Sequence, residues 1–99
     1  MSGLTSGSIR DRFRKRCRRE HDWIDELTNR NEPLSSDEEA ELILRVHSLA
    51  GAGGTFGYPE ISERALRAEQ VMRQTSCTSP ESREAVEALL QALEAATQE

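Results

Sequence analysis

Ninety-nine residues with 35% hydrophobic and 4% aromatic content suffice for one domain with an aliphatic core, and leave no room for separate cofactor and substrate domains. No apolar run approaches the roughly 18 to 20 residues needed to span a bilayer. The segment MSGLTSGSIR holds no apolar stretch of signal-peptide length, so a cytoplasmic protein is expected. Net charge is −5, but residues 1–19 carry +6 and residues 20–99 carry −11.

Residues 1–7 read as a flexible tail and residues 8–99 as the folded domain. The first predicted helix runs from Ser8 to Thr28, with Ile9, Phe13, Ile24 and Leu27 on one stripe and Cys17 and Trp23 near it. TNRNEPLSS breaks it with Asn, Pro and Ser. The second helix starts at Ser36, with Glu39 three residues on as the other half of a capping box. TFGYP is the next break. The third helix begins at Pro59 or Glu60 and runs to Gln74. TSCTSP follows, and the fourth helix has Ser79 as N-cap and Pro80 at its first position. Val86, Leu89, Leu90 and Leu93 mark its apolar face. Nothing alternates with period two, so the expected class is all-α. Four helices with short connections pack most simply as an antiparallel up-down-up-down four-helix bundle.

The stretch RVHSLAGAGGTFGYP sits oddly in this pattern. Four glycines fall within seven residues just after His47, and each glycine costs a helix about 1 kcal/mol relative to alanine. At 100° per residue, Leu42, Val46, Leu49, Gly53 and Phe56 share one apolar stripe. His47 lies off that stripe, beside Ile43, Ala50, Gly51 and Gly54. Gly53 on the stripe suits close helix packing. Gly51 and Gly54 flank the imidazole and suit access by a bulky partner. His47 and Glu69 are each eleven residues from Tyr58, the middle of the turn, so an antiparallel hairpin brings them level. A carboxylate there can accept the Nδ1 proton and leave Nε2 with a free lone pair, which makes the ring an oriented nucleophile. Arg73, one turn beyond Glu69, is also placed to pair with it.

VHSLAGAGGTFGYPEISERALRAE resembles the histidine phosphotransfer (HPt) domain of multistep two-component phosphorelays. His47, Leu49, Gly51, Gly54 and Gly57 stand where that family's His-x-Leu-Lys-Gly pattern and its following small residues want them. Glu69 matches the position of the acid or amide that bonds the imidazole. The resemblance implies a four-helix domain with no kinase activity or nucleotide site, hence not an enzyme in its own right. His47 would take a phosphoryl group on Nε2 from one receiver-domain aspartate and pass it to another. The implied partners are response-regulator receiver domains and a hybrid or sensor histidine kinase. No cofactor of its own is implied, and Mg2+ is expected in the partner receiver. A monomer is expected. Ile43, Ala50, Gly51 and Gly54 would lie in the partner-binding surface, with part of the first helix. One departure is clear. The family's lysine three residues after the histidine is Ala50 here, and Arg73 is the cation placed to meet the phosphoryl oxygens instead.

Other readings fit less well. GAGGTFG follows no strand, lacks a Lys-Ser or Lys-Thr ending and closes a helix, whereas a phosphate loop opens one. RDRFRKRCRR alone suggests a basic-helix nucleic-acid module, but the acidic remainder argues against nucleic acid as the main partner. A degenerate HPt domain acting as a helical adaptor, never phosphorylated, is the remaining alternative. His21 and His47 lack the ligand spacing of a metal site, and His21 is expected to be exposed. Cys17 and Cys77 read as two reduced thiols.

Overall fold

Residues 3–99 are described by the computed structural model, which forms four helices from them: α1 (Gly3–Asn29), α2 (Ser36–Thr55), α3 (Pro59–Gln74) and α4 (Pro80–Thr97). No strand occurs among the described residues. Helix α1 begins at Gly3 rather than Ser8, so part of the segment expected as a tail is helical. Propagation adds one hydrogen bond per residue ordered, and nothing in LTSG forces a stop. Met1 and Ser2, the rest of that expected tail, lie outside the described residues.

The helix starts are written in the local sequence. Ser35, not Ser36, caps α2: its hydroxyl accepts from the Glu38 N–H at 3.1 Å, and the Glu38 carboxylate accepts from the Ser35 N–H at 2.9 Å. Ser36 and Glu39 have the same spacing. Ser35 and Glu38 are selected because Glu38 also pairs with Arg30 across the loop. Arg30 first and Ser35 second hold the Glu38 carboxyl down at about 2. Helix α4 starts with Ser79 as cap and Pro80 at its first turn, and α3 starts on Pro59, as expected.

Side-chain contacts fix the direction of each neighbour. Along α1 and α2, Phe13 stacks on Phe56 at 4.7 Å, Arg16 donates to Ser48 Oγ at 2.6 Å, and Arg45 donates to Glu20 at 3.0 Å. One number rises as the other falls. The same holds for α2 and α3, with His47 at Glu69 and the Ala50 carbonyl at Ser62. It holds for α3 and α4, with Arg64 at the Ala88 carbonyl and Thr75 at Ser79. Arg14 reaches the Ala96 carbonyl, while Leu27 and Val86 share a cavity wall, so α1 and α4 also run oppositely. The product is an antiparallel four-helix bundle, 48 × 21 × 21 Å.

The expected stripes supply the core. Leu42, Val46 and Leu49 of α2 meet Ile61, Ala65 and Ala68 of α3, with Phe13, Cys17 and Ile24 of α1 and Val86, Leu89 and Leu93 of α4. Each large aliphatic side chain so buried contributes about 1.5 to 3 kcal/mol. Ile9 departs from its expected core place and is 46% exposed. Phe13, set against Phe56 and Tyr58, already fills that end of the bundle. Trp23 is half-buried under the Arg45 guanidinium, 4.1 Å from its ring centroid. Both cysteines are free and buried. Burial pushes the Cys17 thiol up to about 11, which makes it a poor nucleophile.

Candidate functional site

The α2–α3 turn sets the register of the site. Gly57 adopts φ 86°, a left-handed conformation that costs other residues about 1–2 kcal/mol. The Tyr58 N–H then donates back to the Gly53 carbonyl at 2.7 Å. Gly53 has no room for a side chain. A Cβ there would lie 2.7 Å from the Ser62 nitrogen and 3.0 Å from the Tyr58 carbonyl oxygen. The two helices close tightly at this point, so residues equally far from the turn face each other.

His47 and Glu69 are such a pair. Nδ1 of His47 lies 3.0 Å from both carboxylate oxygens of Glu69. The imidazole is 66% exposed, whereas the Glu69 side chain is only 10% exposed. An ionised carboxylate only accepts hydrogen bonds, so Nδ1 carries a proton, and in the neutral ring Nε2 is the nitrogen with the free lone pair. Arg73 Nε donates to the same carboxylate at 3.0 Å. Burial works against the charge on Glu69, but the bonds from His47 and Arg73 outweigh it and hold its pKa below the ordinary range. The carboxylate is therefore ionised at neutral pH, and the three expected site residues form one connected group.

The surface around the ring is open. Leu44, His47, Ser48 and Gly51 are all exposed, and their i, i+3, i+4, i+7 spacing makes them one strip of α2. A Cβ on Gly51 would meet nothing within 4 Å, and one on Gly54 would meet only Ser62 Oγ at 3.8 Å. Ile43 and Ala50 are half-buried and pack on the core. The apolar side chain that stands clear beside the histidine is Leu44, 62% exposed. Sequence reading passed over it, although a leucine off the core stripe in ELILRV is a usable signal. Leu66, 50% exposed on α3, lies one turn before Glu69. His21 is less exposed than expected. Its side chain is 24% exposed and its Nδ1 lies 3.0 Å from Asp22 Oδ1.

A family model for the Hpt domain matches residues 8–99, and the chain belongs to the Hpt domain family. No curated protein and no solved structure matches it significantly. The family's work is histidine phosphotransfer in two-component signalling, in concert with receiver domains and histidine kinases. Its members are phosphotransfer modules. No described helix is long and apolar enough to cross a membrane.

The glycines make a testable contrast. Gly54→Leu should keep the fold and gain up to about 1 kcal/mol of helix stability, yet slow any phosphotransfer through His47 by adding bulk to the open strip two turns from the ring. Gly53→Ala should lose about 1 to 3 kcal/mol, because the new Cβ overlaps backbone that cannot move cheaply. Thermal unfolding, with transfer rates per folded molecule, separates the two. A Gly54→Leu variant that transfers at the wild-type rate would remove the access argument.

Proposed function

We propose that His47 is the phosphoacceptor, and that it relays a phosphoryl group between receiver-domain aspartates. The supporting observation is the pairing of an exposed imidazole with a buried carboxylate on Nδ1. Nε2 attacks the phosphorus of an aspartyl phosphate in line. The phosphorus–oxygen bond to the donor carboxylate breaks, and that carboxylate leaves with the electron pair. The ring, now phosphorylated on Nε2 and still protonated on Nδ1, becomes cationic. Glu69 lies against that charge. The reverse of these steps delivers the group to the next aspartate. The domain supplies alignment and charge balance, which dominate phosphoryl transfer. No cofactor of its own is required, and any metal ion belongs to the receiver. The unit is a monomer in this reading.

Arg73 is assigned the part that the Ala50 position gives up. Its Nε is held by Glu69 while the side chain stays 59% exposed, so its remaining N–H groups are open to phosphoryl oxygens. A lysine at position 50 would have to extend its head past the packed stem to reach the same place, as lysines do. The test starts from a panel of phosphorylated receiver domains, with label followed onto this chain. With a receiver that labels it, Arg73→Ala should lower the transfer rate about tenfold, and Ala50→Lys in that background should restore much of the loss. A panel that never labels the chain points to the unphosphorylated adaptor. Labelling with no coupling between positions 50 and 73 retires the role given to Arg73.

A further inference from the structure

Helix α1 carries a set of cations that the fold does not use. Among the described residues its ion pairs are Arg10–Glu99, Arg14–Asp11, His21–Asp22 and Glu20–Arg45. Arg12, Lys15 and Arg19 are exposed and belong to none of them. At 100° per residue these three and Arg16 fall within about 100° of arc. Asp11 and Asp22 border that arc but pair with Arg14 and His21, and exposed Glu26 falls within it two turns beyond Arg19 without pairing to it. Arg16 is the edge of the cationic flank nearest α2, and it donates to Ser48 Oγ at 2.6 Å. Ser48 is next to His47 on the exposed strip. The cations are thus continuous with the surface around the imidazole.

We infer that this flank docks an acidic face of the phosphoryl-bearing receiver and steers it onto His47. The inference rests on His47 being the acceptor. Charge complementarity gives the occupant its sign, because Arg12, Lys15 and Arg19 outnumber the acids on that arc and none of the three forms an ion pair among the described residues. Two observations favour protein over nucleic acid. An exposed apolar side chain, Leu44, stands on the same strip of α2 as His47 and Ser48. Residues 20–99 also carry −11, which repels an extended polyanion but not a local acidic patch. Steering by such a flank acts on association and fades with salt.

The triple variant R12E/K15E/R19E tests this, since none of the three side chains makes a contact that holds the fold. Transfer from a phosphorylated receiver is measured over a salt series. Each rate is divided by the rate of labelling with phosphoramidate, a small donor that needs no docking. Any change in His47 itself then cancels. The expected result is a wild-type ratio that falls about tenfold or more from low to high salt. The variant ratio should lie about tenfold or more below it at low salt and barely respond to salt. Equal ratios and equal salt slopes would overturn the inference. So would a duplex DNA or a second copy of the chain that occupies the flank and blocks the receiver. A wild-type chain that takes no label from either donor would instead refute His47 as acceptor, a distinguishable failure.

Discussion

His47→Gln is expected to reduce receiver-dependent labelling to background, while His21→Gln leaves it at the wild-type level. The lost label is the acid-labile, base-stable kind that belongs to a phosphorylated ring nitrogen. Glutamine is the informative replacement. Its amide N–H can still donate to Glu69, so the carboxylate keeps a partner and the fold keeps its surface. What disappears is the Nε2 lone pair, which an amide nitrogen does not offer to phosphorus. The imidazole is 66% exposed, so no core packing is lost, and an unchanged melting curve of the variant checks that the altered contact with Glu69 leaves the fold intact. Loss of label therefore reports chemistry and not unfolding. Label that persists at the wild-type level would reject His47 as the acceptor.

Much of the site was legible because a tight turn makes counting reliable. Tyr58 bonds back to Gly53, and equal counts on either side of it put His47 level with Glu69. The starts of α3 and α4 were legible for a similar reason, since Pro59 and Pro80 can begin a helix but not continue one. Features that depend on helix rotation and long side chains were harder. The apolar stripe of α1 is thin and interrupted by arginines, so periodicity does not say which flank meets α2. The Arg16–Ser48 bond and the Arg45–Trp23 stack answer that question only in three dimensions. Ile9 illustrates the limit. It has the right period for the core, but Phe13 and its aromatic neighbours occupy the space. The choice of Ser35 over Ser36 likewise turned on Arg30, a contact across a loop.

Glu69 should prove to be a positioning and charge-balancing residue rather than an indispensable one. Glu69→Ala removes the acceptor that fixes the Nδ1 proton and the anion that faces the phosphorylated ring. A charge-assisted hydrogen bond of this kind is worth about 1.5 to 3 kcal/mol, so transfer should slow roughly ten- to a hundredfold without stopping. Glu69→Gln separates the two contributions, because its amide oxygen still accepts from Nδ1 but carries no charge. A Gln variant near the wild-type rate would assign the effect to orientation, and one near the Ala rate would assign it to charge. Acid stability gives an independent reading of the same carboxylate. Its folded pKa lies below the ordinary 4.5 because the bonds from His47 and Arg73 outweigh burial. Its contribution to stability is therefore full above about 4.5 and is lost as pH falls through the folded value. The difference in melting temperature between wild type and Glu69→Ala should shrink as pH falls from about 4.5 through the folded value. An Ala variant with the wild-type transfer rate would show that the imidazole needs no carboxylate to hold it.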